Sequence, residues 1–140
     1  MNTKNVGNIT EVSCMLEFLK LGYNVLTPYG DCERYDFVAD VNNKFYKIQV
    51  KTANTSHLEE GFVLIHCEST TRSNGKLVHN KYSEDEIDFF ATFYDGKCYL
   101  IPVNECSTMK RLRLTPPKNG QIKGITFAKD YELQEVIKTL

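Results

Sequence analysis

The sequence predicts a mixed α/β protein with its elements in an α+β-like order, folded as one domain over residues 1–140. Three observations predict it. Helical spacing is confined to the two ends of the chain. Between them, short β-prone runs follow one another, punctuated by turn dipeptides. The length, 140 residues, is that of one ordinary domain. Area scaling gives about 23,000 Å² exposed when unfolded and about 7,400 Å² when folded, enough burial for one core without staples.

The first element is a helix. Asn8 and Glu11 stand at capping-box spacing, and Ile9, Val12, Leu16 and Leu19 recur at helical spacing, ending near Leu21 before Gly22. A short strand, Tyr23 to Leu26, stops at Pro28. Two β-prone runs, Tyr35 to Val41 and Lys44 to Lys51, flank Asn42-Asn43 and predict a hairpin. Phe62 to Cys67 is another strand. Thr70 to Lys81 is polar, carries Gly75, and reads as a loop or loose hairpin. Ser83 and Glu86 cap a helical turn. Ile87 to Tyr94 and Lys97 to Val103 flank Asp95-Gly96, the strongest short hairpin signal in the chain. Pro116-Pro117 and Asn119-Gly120 mark loops, and Asp130 is the N-cap of a last helix bearing Leu133, Val136, Ile137 and Leu140.

Composition excludes several classes. With 41% hydrophobic and 25% charged residues, the chain is neither a disordered tail nor a coiled coil. No apolar run approaches the ~20 residues of a membrane span, and no signal-peptide pattern opens the chain. The expected location is cytoplasmic (nucleoid-associated or the organellar equivalent), not secreted. The five cysteines are odd in number, widely spaced and without a CxxC pair, which argues against a disulfide framework or zinc site. Cys14, Cys67 and Cys98 read as small buried hydrophobes. His57, His66 and His79 are scattered, with no ligand spacing.

Chemistry concentrates on the first hairpin. A two-residue Asn42-Asn43 loop sets Val41 opposite Lys44 and Asp36 opposite Gln49. One face then carries Asp36, Val38, Asp40, Phe45, Lys47, Gln49 and Lys51, and the other Tyr35, Phe37, Ala39, Val41, Tyr46, Ile48 and Val50, with only Lys44 charged. The second is a core face. The first gathers a carboxylate, a carboxamide and an ammonium at one end of the hairpin. Oxygen donors suit a hard cation such as Mg²⁺, with Mn²⁺ as a substitute: Asp36, the Gln49 amide and the Val50 carbonyl. Lys51 is placed to act on an attacking water or on charge developing at a phosphate. Asp36 and Lys51 as a surface cross-strand ion pair, and Glu11 as a helix cap, are the plainer readings of the same residues.

Tyr35-Asp36 followed on the next strand by Gln49-Val50-Lys51 resembles the PD-(D/E)xK nuclease superfamily. Tyr35 stands where the motif has Pro, and Gln49 where most members have Asp or Glu. Gln at that place is similar to the small intron-encoded homing endonuclease branch. Glu11, within Gly7-Asn8-Ile9-Thr10-Glu11, matches the first-helix Glu of the superfamily, and Tyr82 to Phe90 and Tyr99 to Pro102 resemble the same branch. The resemblance implies a restriction-endonuclease-like core, a central mixed sheet flanked by helices. Residues 5–103 would form the catalytic core, and 104–140 a basic segment and C-terminal helix. It implies catalytic residues Glu11, Asp36, Gln49 and Lys51, with metal at Asp36, Gln49, Val50 and Glu11, and products ending in 5′-phosphate and 3′-hydroxyl.

The net charge of −1 hides segregation. Residues 107–129 hold six basic residues and no acid, and residues 69–83 hold Arg72, Lys76 and Lys81 and no acid. Phosphate contact needs clustered Lys and Arg rather than a basic average. Arg72, Lys76, Lys81, Lys110, Arg111, Arg113, Lys118 and Lys123 are therefore the expected DNA contacts. The expectation is a Mg²⁺-dependent, sequence-specific double-stranded DNA endonuclease acting as a homo-oligomer, dimer or tetramer, with no membrane partner. A Holliday-junction resolvase and a non-catalytic DNA-binding module are the alternatives.

Overall fold

The computed structural model describes residues 1–140. Helix α1 (Thr3–Lys20) is followed by strands β1 (Asn24–Leu26), β2 (Phe37–Val41), β3 (Lys44–Val50), β4 (Phe62–His66), β5 (Glu68–Ser73) and β6 (Lys76–Lys81). Then come β7 (Phe89–Tyr94), β8 (Lys97–Pro102), β9 (Met109–Arg113) and a short helix α2 (Leu133–Ile137). Five strands form a mixed sheet in the order β1-β2-β3-β7-β8, while β4-β9 and β5-β6 are separate antiparallel ribbons. Only β3 and β7 run parallel, joined by the crossover that contains β4, β5 and β6.

The predicted registers hold where turn chemistry dictates them. Val41 pairs with Lys44 and Phe37 with Ile48. Asn42 and Asn43 both adopt positive φ, 53° and 67°, the left-handed pair that a tight hairpin needs and asparagine tolerates. Asp95 and Gly96 do the same at 50° and 78°. Residues 70–81 form the regular hairpin β5-β6, turning at Asn74-Gly75 with φ of 52° and 76°.

The sheet is covered unequally. On one face α1 and α2 pack Cys14, Phe18, Leu133, Val136 and Ile137 against Phe37, Ala39, Val41, Ile48, Phe89, Ala91 and Leu100. On the other, the β4-β9 ribbon packs Val63, Ile65 and Leu112 over Phe90, Tyr99 and Ile101. Strands β7 and β8 are thus buried on both sides, which explains their mostly apolar sequences without alternation. The outer face of β2-β3 stays open: Phe45 is exposed, and Val38, Asp40, Lys47 and Gln49 are only partly covered.

Several expectations need correction. α1 begins at Thr3, not after Asn8: the Asn2 side chain accepts from the Asn5 N–H at 2.9 Å, so the cap lies nearly two turns earlier. Its buried face is Thr10, Cys14 and Phe18, whereas Ile9, Val12, Leu16 and Leu19 face outward. Both sets have helical spacing, and periodicity alone does not say which one a sheet will cover. Asp130 lies inside a 3₁₀ turn, Ala128–Tyr131, and α2 starts only at Leu133 with no side-chain cap. Tyr35 packs on the β4-β9 side of the sheet, because the pleat is broken before Phe37. Finally, Cys67 pairs with Cys106 in a disulfide, Cα atoms 6.2 Å apart, across 39 residues of sequence. Cys67 N–H donates to the Thr108 carbonyl at 2.8 Å at the end of the β4-β9 ladder, a proximity that linear spacing does not reveal. Cys14 and Cys98 are buried thiols as expected, and Cys32 is exposed. No helix is long and apolar enough to cross a membrane.

Candidate active site

Asp36 sits in the bend that leads into β2. Its amide donates to the Ile48 carbonyl at 2.8 Å, and its carboxylate Oδ2 accepts from the Val50 N–H at 2.7 Å. The side chain thereby takes the place of a main-chain ladder partner, which pins the carboxylate against the last residue of β3. Burial pushes its carboxyl above the ordinary carboxylate range, while the Val50 N–H and the Lys51 ammonium pull the other way.

Glu11 reaches the same place from α1. It shares with Asp31, Glu33 and Asp36 the walls of a cleft of about 250 Å³. Burial, and then the neighbouring Asp36 charge, raise its carboxyl. Glu11 is therefore no N-terminal cap: it stands mid-helix, electrostatically coupled to Asp36. Gln49 Nε2 lies 3.4 Å from the Val50 carbonyl oxygen, so carboxamide and carbonyl meet next to Asp36. Turning the amide over exchanges its oxygen and nitrogen without changing its shape.

Lys51 does not pair with Asp36, since no ion pair within 4.0 Å joins them. Its main-chain N–H extends the parallel ladder to the Ala91 carbonyl at 2.8 Å. Its Nζ donates to the Glu68 carbonyl at 3.1 Å and lies 5.1 Å from the Tyr82 ring centre. Opposing charge within reach, yet unpaired, leaves a gap between carboxylate and ammonium.

Arg34 is a site residue that sequence patterning does not single out. Its guanidinium stacks on Tyr82 at 3.8 Å and donates to Glu86 at 3.1 Å, Ser69 Oγ at 3.1 Å, and the Lys81 and Asn80 carbonyls at 3.4 and 3.5 Å. One side chain thus clamps both strands at the base of β5-β6. Glu86 also accepts from the Ser83 N–H at 3.0 Å, the predicted cap, and that bond holds its carboxyl below the usual range. No local pattern announces Arg34: its partners lie 35 to 52 residues away.

The expected DNA contacts fall on separate elements. Arg72, Lys76 and Lys81 are exposed on β5-β6, a ribbon uncovered on both faces beyond its base. Lys110, Arg111 and Arg113 lie on β9, where Arg111 stacks over Phe62 at 4.9 Å and Arg113 donates to the Thr115 carbonyl at 3.2 Å. Lys118 and Lys123 are exposed in the loop that follows. Lys81 also bonds Ser107 Oγ at 3.0 Å, giving the hairpin base one more tie.

The donor set fits a divalent cation. No three His, Cys, Asp or Glu side chains converge as a ready-made cage, which a hard cation bound through few carboxylates does not need. Two carboxylates, each raised by burial, and the Val50 carbonyl supply oxygen donors short of positive charge, and turning over the Gln49 amide would add its oxygen.

A mixed sheet that ends one hairpin strand on Asp36 and leaves the next at Lys51 defines a nuclease scaffold. The chain belongs to the PD-(D/E)XK endonuclease family, which it matches over residues 1–134. Such nucleases generally use divalent metals. Among solved structures, the bacterial homing endonuclease I-Ssp6803I shares the fold, with a TM-score of 0.81 and 23% identity over 99% of this chain and 95% of that one. No curated protein matches the sequence significantly. The family resemblance read from Glu11, Asp36 and Gln49-Val50-Lys51 is borne out, as is the mixed α/β architecture.

Proposed function

We propose that this protein is a Mg²⁺-dependent, sequence-specific endonuclease of double-stranded DNA, of the homing type. The carrying observation is the join between site and ribbon: Lys51, beside Asp36, bonds the first residue of the projecting β5-β6 hairpin. A two-stranded ribbon has the size of a DNA major groove, and β5-β6 carries Arg72, Lys76 and Lys81 with Ser, Thr, Asn and His side chains among them. The structural neighbour I-Ssp6803I is itself a homing endonuclease, which points the same way.

In this reading Asp36, with Gln49, the Val50 carbonyl and Glu11, holds the cation. The cation, when bound, lowers the pKa of a water and offsets charge on the scissile phosphate. Asp36 keeps its orientation through the Val50 N–H. Lys51 orients the attacking water and stabilises charge developing on the phosphate oxygens. Lys110, Arg111, Arg113, Lys118 and Lys123 add phosphate contacts that carry no sequence information.

The test is incubation with supercoiled plasmids, some bearing the DNA that flanks the gene's insertion site, and with synthetic four-way junctions, with Mg²⁺, with Mn²⁺ and with EDTA. The expected result is metal-dependent cutting confined to plasmids with the flanking target. Sequence-independent cutting of junctions would replace the homing reading with a resolvase. Tight DNA binding without any nicking would make the chain a non-catalytic binder.

A further inference from the structure

Tyr82 joins two charged side chains that the sequence keeps apart. It directly follows β6, and its ring centre lies 3.8 Å from the Arg34 guanidinium and 5.1 Å from the Lys51 ammonium. The core holds the ring as well: it meets the buried Phe90 edge-to-face, centroids 5.3 Å apart. Arg34 is fixed in turn by Glu86 at 3.1 Å, which offsets the charge it would otherwise set against Lys51. The ring is thus pinned by β7 on one side and by the bend that carries Asp36 on another.

Lys51 has few anchors of its own. A lysine is a point charge on a flexible stem, with three donors. Its Nζ makes one hydrogen bond, to the Glu68 carbonyl at 3.1 Å, and no carboxylate lies within 4.0 Å. An ammonium closed on Asp36 would occupy the carboxylate that the proposed cation needs. We propose that Tyr82 is a positioning residue for Lys51: its ring, set by Arg34 and Phe90, holds the ammonium off Asp36 and keeps it free for the attacking water and the scissile phosphate.

Both anchors of the lysine belong to the hairpin, since Glu68 opens β5 and Tyr82 follows β6. A ring suits the second place better than a carboxylate. An aromatic face attracts a cation without bonding its protons, so the ammonium is held while two of its donors stay free. The Glu68 carbonyl alone gives a single bond about which the stem can swing. The role in cleavage rests on the nuclease reading, whereas the placement of the ammonium does not.

Proton–carbon NMR of the lysine ε-methylenes in the full chain tests the placement, with the Lys51 signal assigned by its loss in Lys51→Arg. The wild-type signal is expected upfield of the solvent-exposed lysines, shifted by the ring current of Tyr82. It should stay there in Tyr82→Phe and move to the exposed position in Tyr82→Leu. An unshifted wild-type signal, or one that Tyr82→Leu leaves in place, overturns the placement. If Tyr82→Leu does not fold, the wild-type and Tyr82→Phe signals still decide. Single-turnover cleavage of the plasmid bearing the flanking target tests the role. Tyr82→Leu is expected to slow it roughly 3- to 30-fold, the span of a lysine–aromatic contact, with DNA binding in Ca²⁺ unchanged and the rate kept in Tyr82→Phe. In the Lys51→Ala background Tyr82→Leu should cost nothing more, whereas an equal loss in both backgrounds would mean that the ring serves the fold alone. A wild type that cuts nothing while its Lys51 signal is shifted removes the nuclease reading and supports the placement.

Discussion

The Lys51 ammonium donates to the Glu68 carbonyl oxygen at 3.1 Å, and so joins the end of β3 to the first residue of the β5-β6 hairpin. In the proposed nuclease, the lysine beside Asp36 is thereby held by the element proposed to meet the DNA. Its other neighbour is the Tyr82 ring, whose environment Arg34 sets by stacking on it.

Removing Asp36 and Lys51 separates chemistry from binding. Asp36→Ala and Lys51→Ala are each expected to lower single-turnover cleavage at least about 10³-fold, the scale of losing a preorganised charge in a site of this kind. Binding measured by fluorescence anisotropy in Ca²⁺ should change only a few-fold, because the ribbon keeps its cations. Wild-type cleavage rates in both variants would show that the site lies elsewhere.

Arg34→Ala removes the clamp on the hairpin base. Its bonds to Glu86, Ser69, Asn80 and Lys81 include a charge-assisted pair, and their loss is expected to cost about 1.5–3 kcal/mol. Hydrogen exchange should accelerate in residues 68–82 while the α1 and β7 amides stay protected. Equal protection of β5-β6 in variant and wild type would mean the other ties suffice.

The Glu11 and Asp36 carboxyls are both raised, Glu11 by burial and then by Asp36, and Asp36 by burial. A carboxyl raised in the folded state supports the fold below its unfolded pKa and ceases to do so as pH rises through the folded pKa. Glu11→Gln is therefore expected to raise Tm at pH 7 to 8 in EDTA. The gain should vanish near pH 4, where the wild-type carboxyl is itself protonated. Excess Mg²⁺ should narrow the gap at neutral pH by stabilising the wild type more than the variant. A Tm difference that does not vary with pH would contradict the coupling.

Cys67 and Cys106 close a loop of 39 residues in the oxidised chain. In the chain-entropy picture such a link contributes roughly 4 kcal/mol. Dithiothreitol, or Cys106→Ser, should lower Tm, with three thiols titrating before reduction and five after. A compartment kept reducing would hold the pair as thiols and forgo that contribution. Five titratable thiols in the oxidised protein would refute the bond.

Much of the sheet was legible because turn chemistry is local. Asn42-Asn43 and Asp95-Gly96 set their hairpins in register through residues that accept positive φ. Asn74-Gly75 has the same chemistry, yet its flanking strands lie exposed and so lack the alternation that marks a half-buried strand. That is why residues 70–81 read as a loose segment.

The gathering of Asp36, Gln49 and Lys51 on one hairpin is written in the chain itself, since it follows from a two-residue turn and a period of two. Folding in three dimensions settled the rest. It chose which stripe of α1 the sheet would cover, set Glu11 beside Asp36, brought Cys67 to Cys106, and let Arg34 grip the hairpin from 35 residues away. Turns and pleats act between neighbours in the chain. These four outcomes depend on elements that become neighbours only once the β3-β7 crossover and the β4-β9 pairing have closed.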